Sequence, residues 1–347
     1  MSNLMNDFAF IAIGQAGGNI GSQFEAEGHI VLYINTSQED LNTLQNVKHT
    51  YHITGADGSA KDRNRAKELI ISNWDEIDAL ISQTHQEKYI FVVFSSAGGT
   101  GSGASPMLME YLIQNYPDRF IGAITILPAT SESLQAQVNA YECLQEIKKL
   151  NDAGPVFIID NDARKDKMAL NAEFVDLFES LLDLTESTDV RGSIDAADIK
   201  RALNCNGCAM LTKLQQDQSS TAELLQSFEK GIFAPLEQDG VVEHIMLSMS
   251  SVIDTEELKN KVGEPATMFT GYNPKQTVCL LSGLSFPDTR IEGIEKKITE
   301  SKERRQRVRD QKIVAPDKQI DLGLSTPKKT RAQMTREELF AKYRKKQ

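Results

Sequence analysis

Apolar residues along this chain gather into short unbroken runs, and the stretches between them carry helical spacing. Phe8 to Ile13 (FAFIAI) is the first run; it meets a cluster of glycines, a helically spaced segment and a second run, His29 to Asn35 (HIVLYIN). Further runs follow at Tyr89 to Phe94 (YIFVVF), Phe120 to Leu127 (FIGAITIL) and Pro155 to Ile159 (PVFII). A run that is apolar at every position, rather than at alternate ones, predicts a strand buried on both faces. Such strands alternating with helices predict an α/β fold: a parallel sheet covered by helices, with ligands beyond the carboxyl ends of the strands.

From Ala169 to Thr185 helical spacing continues without a breaker, which predicts one long helix linking two halves. Helices are then predicted near Asp195 to Leu203 and Ser220 to Phe228. Strands are predicted at 244–252 (HIMLSMSSV) and 277–286 (TVCLLSGLSF), giving a second, smaller α/β unit. Residues 288–312 are rich in helix formers and charge with little apolar periodicity, the pattern of a long exposed helix. The remainder, with Pro316, Gly323, Pro327 and many basic residues, reads as a flexible tail. The divisions expected are therefore 1–168, a central helix 169–190, 191–287, an exposed helix 288–313 and a basic tail 314–347.

Hydrophobic residues make up 40% and charged residues 25% of the 347, the balance of a chain that folds rather than one that stays disordered. No stretch reaches the roughly 20 apolar residues that cross a bilayer, and the start lacks a secretory pattern, so a cytoplasmic protein without membrane contact is expected. Four cysteines (Cys143, Cys205, Cys208, Cys279) are too few for a disulfide framework at this length. Cys205 and Cys208 form one CxxC with no second ligand pair at zinc spacing, and are read as structural. Charge is uneven: residues 300–347 hold 15 Lys and Arg against 7 Asp and Glu, which leaves −19 of the whole-chain −11 in residues 1–299. Such a body repels nucleic acid, while the tail attracts it or an acidic protein.

Two glycine loops carry the chemistry. Gly14-Gln15-Ala16-Gly17-Gly18-Asn19-Ile20-Gly21 lies between a strand and a helix, where backbone N–H groups and the helix dipole suit a phosphate. Ser95 to Pro106 (SSAGGTGSGASP) repeats the arrangement after YIFVVF. A dinucleotide-binding dehydrogenase would need one such loop and an acid about 20 residues on, but residues 34–38 are INTSQ. A Walker loop would need Gly-Lys-Ser/Thr, which neither loop contains. Phosphate binding therefore falls to backbone amides and hydroxyls.

AGGTGSG (97–103) resembles the GGGTGSG or GGGTGTG signature of the tubulin/FtsZ superfamily, with Ala97 in place of the first glycine. IGQAGGNIG (13–21) is similar to the first nucleotide loop of tubulins, and INTSQEDL (34–41) resembles INTD-x-x-x-L of FtsZ. TGADGSAKDRNRAKE (54–68) stands as the third phosphate loop. LPATSE (127–132) matches a proline four residues before a ribose-binding glutamate, and DND (160–162) takes the place of PND. In this order the motifs cover roughly residues 8–290. The resemblance implies a GTPase that binds GTP, GDP and Mg²⁺, with 1–168 as the GTP-binding domain and 191–287 as a C-terminal activation domain.

Position by position, the resemblance implies cofactor contacts from Gly14, Gln15, Ala16, Gly17, Gly18 and Asn19 in the first loop and from Gly55 and Ala56 in the third. In the signature it implies Ala97, Gly98, Gly99, Thr100, Gly101, Ser102 and Gly103, and beyond it Glu132 and Asn161. Gln15 would sit by the phosphates or Mg²⁺, and Thr100 and Ser102 would add hydroxyls. Glu132 would hold ribose, while Asn161, with Asn19, would read guanine, whose edge needs the donor and acceptor of an amide. The base-stacking residue at the start of the long helix stays open among Leu170, Asn171, Glu173 and Phe174.

GSIDAADIK (192–200) resembles the synergy loop N-x-D-x-x-D of FtsZ, with Asp195 and Asp198 as its acids and Ser193 where asparagine is usual. The same spacing also suits an N-cap and a first-turn acid, and both roles are compatible. A carboxylate can orient water for in-line attack on a phosphoryl group. The resemblance implies that this loop docks on the nucleotide of the neighbouring subunit, giving head-to-tail filaments. The tail PKKTRAQMTREELFAKYRKKQ (327–347), with Thr335 and Glu338 at capping-box spacing, resembles the plasmid and phage partition branch, TubZ, whose tail engages a DNA-bound adaptor, TubR. A division or phage-positioning filament like FtsZ or PhuZ is the alternative, and an unrelated nucleotide enzyme a third.

Overall fold

The computed structural model describes residues 3–310 apart from Ala56, Thr188 and Asp239. Strands and helices alternate through the first half: β1 (Phe8–Ile13), α1 (Gly14–Glu27), β2 (Ile30–Asn35), α2 (Gln38–Thr43), β3 (His49–His52), α3 (Arg63–Ser72), α4 (Trp74–Thr84), β4 (Tyr89–Ser95), α5 (Thr100–Asn115), β5 (Phe120–Leu127), α6 (Leu134–Ile147) and β6 (Val156–Asp160). The central helix α7 (Lys167–Leu182) is capped by Asp166, whose carboxylate accepts the N–H groups of Met168 and Ala169. The second half holds α8 (Ala196–Leu203), β7 (Cys208–Gln215), α9 (Thr221–Lys230), β8 (His244–Met249), α10 (Thr255–Val262), β9 (Thr267–Tyr272) and β10 (Gln276–Leu284). The described chain ends in α11 (Asp288–Asp310). The basic tail lies outside the described residues.

One sheet runs through both halves in the order β3-β2-β1-β4-β5-β6-β7-β10-β8-β9. Pairing is parallel from β3 to β7; β10 is antiparallel to β7 and β8, and β9 returns parallel to β8. The halves meet in a short ladder, Val156 opposite Cys208 and Phe157 opposite Ala209. Every position of β1 and of β6 is buried, which is why these strands read as unbroken apolar runs. The two strands at the sheet edges, β3 (HTYH) and β9 (TMFTGY), are largely exposed or half-buried, so neither needs an apolar run and neither stands out in the sequence.

The core is aromatic where α7 crosses the sheet. Phe178 meets Phe8 of β1 edge-on at 5.8 Å and Phe91 of β4 at 5.6 Å, and Phe174 meets Phe157 of β6 at 5.5 Å. The helix α11 also differs from its sequence pattern. Ile291, Ile294 and Ile298 are buried and form a three-residue seam packed toward α6, hidden in the sequence by the charged residues around them. All four cysteines are free. Among the described residues no helix is long and apolar enough to cross a membrane.

Candidate functional site

A cleft of about 380 Å³ opens at the carboxyl ends of β2, β1 and β4. The chain runs outward from β1 to β2 and β3, then returns on the other side of β1 as β4, so this is the switch point of the sheet. Gly14, Gln15 and Ala16 line it from the first loop, Asn35, Thr36, Ser37 and Asp40 from the end of β2, and Gly58 to Lys61 from the third loop. Ser95 and Ala97 to Gly101 close it from the signature, with Glu132 at one side.

The helix ends identify what the cleft can hold. A Ser or Asp side chain caps α2, α3, α6, α7, α8, α9 and α10. α4, which starts away from the cleft, has no side-chain cap, and neither do α1 and α5, whose first residues line the cleft beside the capped start of α2. The first N–H groups of α1 and α5 and the positive ends of their two dipoles converge on one space, an arrangement suited to a polyanion. Gly14, at φ +73°, makes the turn into α1. Gly99 admits the third loop: a Cβ there would stand 2.3 Å from Ser59 Oγ and 2.8 Å from Lys61 Cα.

Three hydroxyls cluster under this cradle, with Thr100 Oγ1 at 2.7 Å from Thr36 Oγ1 and 3.1 Å from Ser59 Oγ. Asn139 of α6, itself buried, clips two loops together: its Nδ2 donates to the carbonyls of Lys61 (3.0 Å), Gly98 (3.0 Å) and Ala97 (3.2 Å). Ser102 faces inward and donates to the Gly98 carbonyl. Gly17, Gly18, Asn19 and Gly103 lie within α1 and α5 and do not line the cleft. Gly17 packs on the Val93 carbonyl and Gly103 on α3. Gly55 stands outside the lining, and Ala56 outside the described residues. In their place the third loop presents Gly58 to Lys61, with Ala60 and Lys61 at positive φ. Thr36, Ser59, Lys61 and Asp40 are lining residues that the motif reading missed. INTSQEDL contains Thr36 and Asp40, and the third phosphate loop at 54–68 contains Ser59 and Lys61, but none of the four was singled out.

Glu132 and Asn161 sit on loops after β5 and β6. Glu132 Oε1 accepts from Lys167 Nζ (2.8 Å), the Ala129 N–H (3.1 Å) and Asn161 Nδ2 (3.2 Å). Burial opposes its ionisation, but Lys167 and these donors outweigh it and hold the carboxyl below its usual range. Asn161 itself does not line the cleft. Of the open candidates for stacking, Leu170 and Phe174 are fully buried, Asn171 is nearly so, and Glu173 is paired with Arg164.

Residues 8–168 match the Tubulin/FtsZ family, GTPase domain. They form a Tubulin/FtsZ-family GTPase domain. The chain is 29% identical over 311 residues to the tubulin-like protein TubZ of Clostridium botulinum C phage, covering 88% of this chain and 86% of the relative. The solved structure of C. botulinum phage c-st TubZ with its C-terminal tail truncated has a TM-score of 0.80 at 28% identity, over 87% of this chain and 100% of that one. A GTPγS-form protofilament of TubZ from Bacillus thuringiensis serovar israelensis shares the fold, with a TM-score of 0.75 at 15% identity over 89% of this chain and 97% of that one.

Asp195 and Asp198 lie outside this GTPase domain. Among the described residues, every one that lines the cleft falls between Ile13 and Glu132. Asp195 is the N-cap of α8, accepting the N–H groups of Ala197 (2.8 Å) and Asp198 (2.9 Å), while Asp198 Oδ2 accepts the Asp195 N–H (3.2 Å). Together they form a capping box on the surface. Each carboxylate keeps lone pairs free toward solvent, so capping does not exhaust it.

Proposed function

We propose that this chain is a filament GTPase that binds GTP in the cleft, polymerises head to tail and hydrolyses GTP at subunit contacts. On this reading it segregates plasmid or phage DNA through a TubR-like adaptor held by its basic tail. The observation that carries the reading is the pair of uncapped helix ends, α1 and α5, facing one cleft at the switch point of a GTPase domain. Gln15, exposed at the cleft, would hold Mg²⁺ against the phosphates, and the ion would neutralise charge there. Glu132 would take ribose hydroxyls, and Asn161 would read guanine. Self-association finds support in the protofilament of the B. thuringiensis relative.

The attacking water needs an orienting carboxylate. Asp195 and Asp198, exposed or half-buried on α8 and away from the cleft of their own subunit, suit delivery to the cleft of the next. Asp40 gives a second reading, because it lines the cleft and could act within one subunit; its Oδ2 accepts from Asn35 Nδ2 at 3.2 Å. Asp195→Asn separates the two, since an amide oxygen keeps the cap and removes the charge. Light scattering and phosphate release with GTP and Mg²⁺ are the measurements. Asp195→Asn should assemble while release falls by about 100-fold or more, with an unchanged unfolding midpoint. Asp195→Ala should in addition lose about 1 kcal/mol of stability with its cap. Wild-type release by Asp195→Asn, with loss in Asp40→Asn, would move the chemistry into a single subunit.

A further inference from the structure

We propose that Arg290, in the first turn of α11, is a positioning residue for the ribose side of the nucleotide site. The inference rests on reading the cleft as a GTP site and adds a component from the far end of the described chain. Arg290 is 12% exposed. Its Nε donates to Asp160 Oδ2 at 2.7 Å, and its Nη2 reaches Asp160 Oδ1 (3.2 Å), Asp162 Oδ2 (3.1 Å) and the Pro128 carbonyl (2.9 Å). One guanidinium thus grips both neighbours of Asn161, and also the residue four places before Glu132. Asp162 carries the link onward by accepting the Thr130 N–H at 3.0 Å. The two loops are already joined at the site by Asn161 Nδ2 and Glu132 Oε1.

The fork of arginine suits this role, because four oxygens from three residues at the ends of β5 and β6 are bonded by one side chain through both Nε and Nη2; a compact ammonium lacks those two separated donor positions. Docking of the helix fixes the fork. Ile291 beside it is buried, and Asp288 pairs with Lys148 of α6 at 2.6 Å. The loops that present Glu132 and Asn161 are therefore set by α11, 130 residues beyond Asp160 in the chain.

The test is calorimetric titration of the full chain with GDP and with 2′,3′-dideoxy-GDP, which lacks the hydroxyls that Glu132 would hold. Wild type should prefer GDP. Arg290→Gln should weaken GDP about tenfold or more and dideoxy-GDP little, so that the preference collapses. Arg290→Lys should fall between, because it keeps one pair with Asp160. A structural staple alone would weaken both ligands equally. Should Arg290→Gln fail to fold, as judged by its unfolding midpoint, Asp162→Asn breaks one arm of the clamp and should lower the preference by itself. A full preference for GDP retained in both variants overturns the inference while leaving the GTP site intact, and so does a wild type that binds both ligands equally. A wild type that binds neither ligand overturns the GTP reading itself.

Discussion

Neighbouring glycines of one signature have different work to do. A Cβ on Gly98 would meet nothing within 4 Å and would point into open space, whereas one on Gly99 would strike Ser59 and Lys61. Gly98→Ala should therefore leave stability unchanged or raise it by up to about 1 kcal/mol, yet weaken nucleotide binding by filling the cradle. Gly99→Ala should cost about 1–3 kcal/mol by forcing the third loop away. Thermal unfolding with and without GDP separates the two, and equal loss of stability in both would refute the division. The sequence pointed to this segment as a phosphate loop, because two glycine loops between strands and helices occur together and the second resembles the GGGTGSG signature. It marked 54–68 as a third phosphate loop without singling out Ser59 and Lys61 as its lining residues. Their placement depends on how the segment after the edge strand β3 folds back over the signature, with Ala60 and Lys61 at positive φ, and no residue pattern announces that.

Helix α6 joins the phosphate loops to the body. Asn139 holds Lys61, Ala97 and Gly98, while Glu142 and Glu146 bind the buried Arg63 of α3, both at 2.8 Å, and Glu146 also binds buried Lys67 at 2.7 Å. Arg63 in turn donates to the Ser102 carbonyl at 3.0 Å. Removing a carboxylate shared by two buried cations should be expensive, and Glu146→Ala should destabilise by about 3 kcal/mol in chemical denaturation. Burial opposes the ionisation of Glu146, but Arg63 and Lys67 hold its carboxyl below the usual range. Its contribution is thus present above the unfolded carboxylate value and is lost as pH falls through the lower folded value. Stability should decline less steeply with acidification in Glu146→Ala than in wild type, and parallel acid limbs would refute that origin. Most buried strands and α7 were legible in the sequence because burial on two faces leaves an apolar run or an unbroken helical stripe. The buried central strand β7 (CAMLTKLQ) was not, its run being broken by Thr212, Lys213 and Gln215. The edge strands β3 and β9 and the docked isoleucines of α11 were not, since each needs a partner that sequence alone does not place.

At the scale of the whole molecule, the family match of residues 8–168 was legible in the order of several weak motifs, because the same strand, loop and helix alternation that spaces them also builds one sheet with one switch point. The division of labour between the two halves is a matter of geometry instead. The phosphate cradle lies at the ends of β2, β1 and β4, and the capping-box acids lie at the start of α8, which packs on β8 and β10 beyond the short β6–β7 ladder. A subunit built this way carries a cleft suited to a polyanion and a separate pair of acids. If the acids serve a neighbour, the contact joins two different surfaces and propagates without closing. Phosphate release per subunit should then be negligible below a threshold protein concentration and should rise steeply above it, in step with scattering. Catalysis by Asp40 within one subunit gives release proportional to protein at every dilution, so the rate per subunit stays constant. A dilution series of wild type at saturating GTP and Mg²⁺ distinguishes these outcomes. The same series on Asp195→Asn should show scattering above the threshold without the accompanying rise in release, which ties the concentration dependence to the acid rather than to nucleotide uptake.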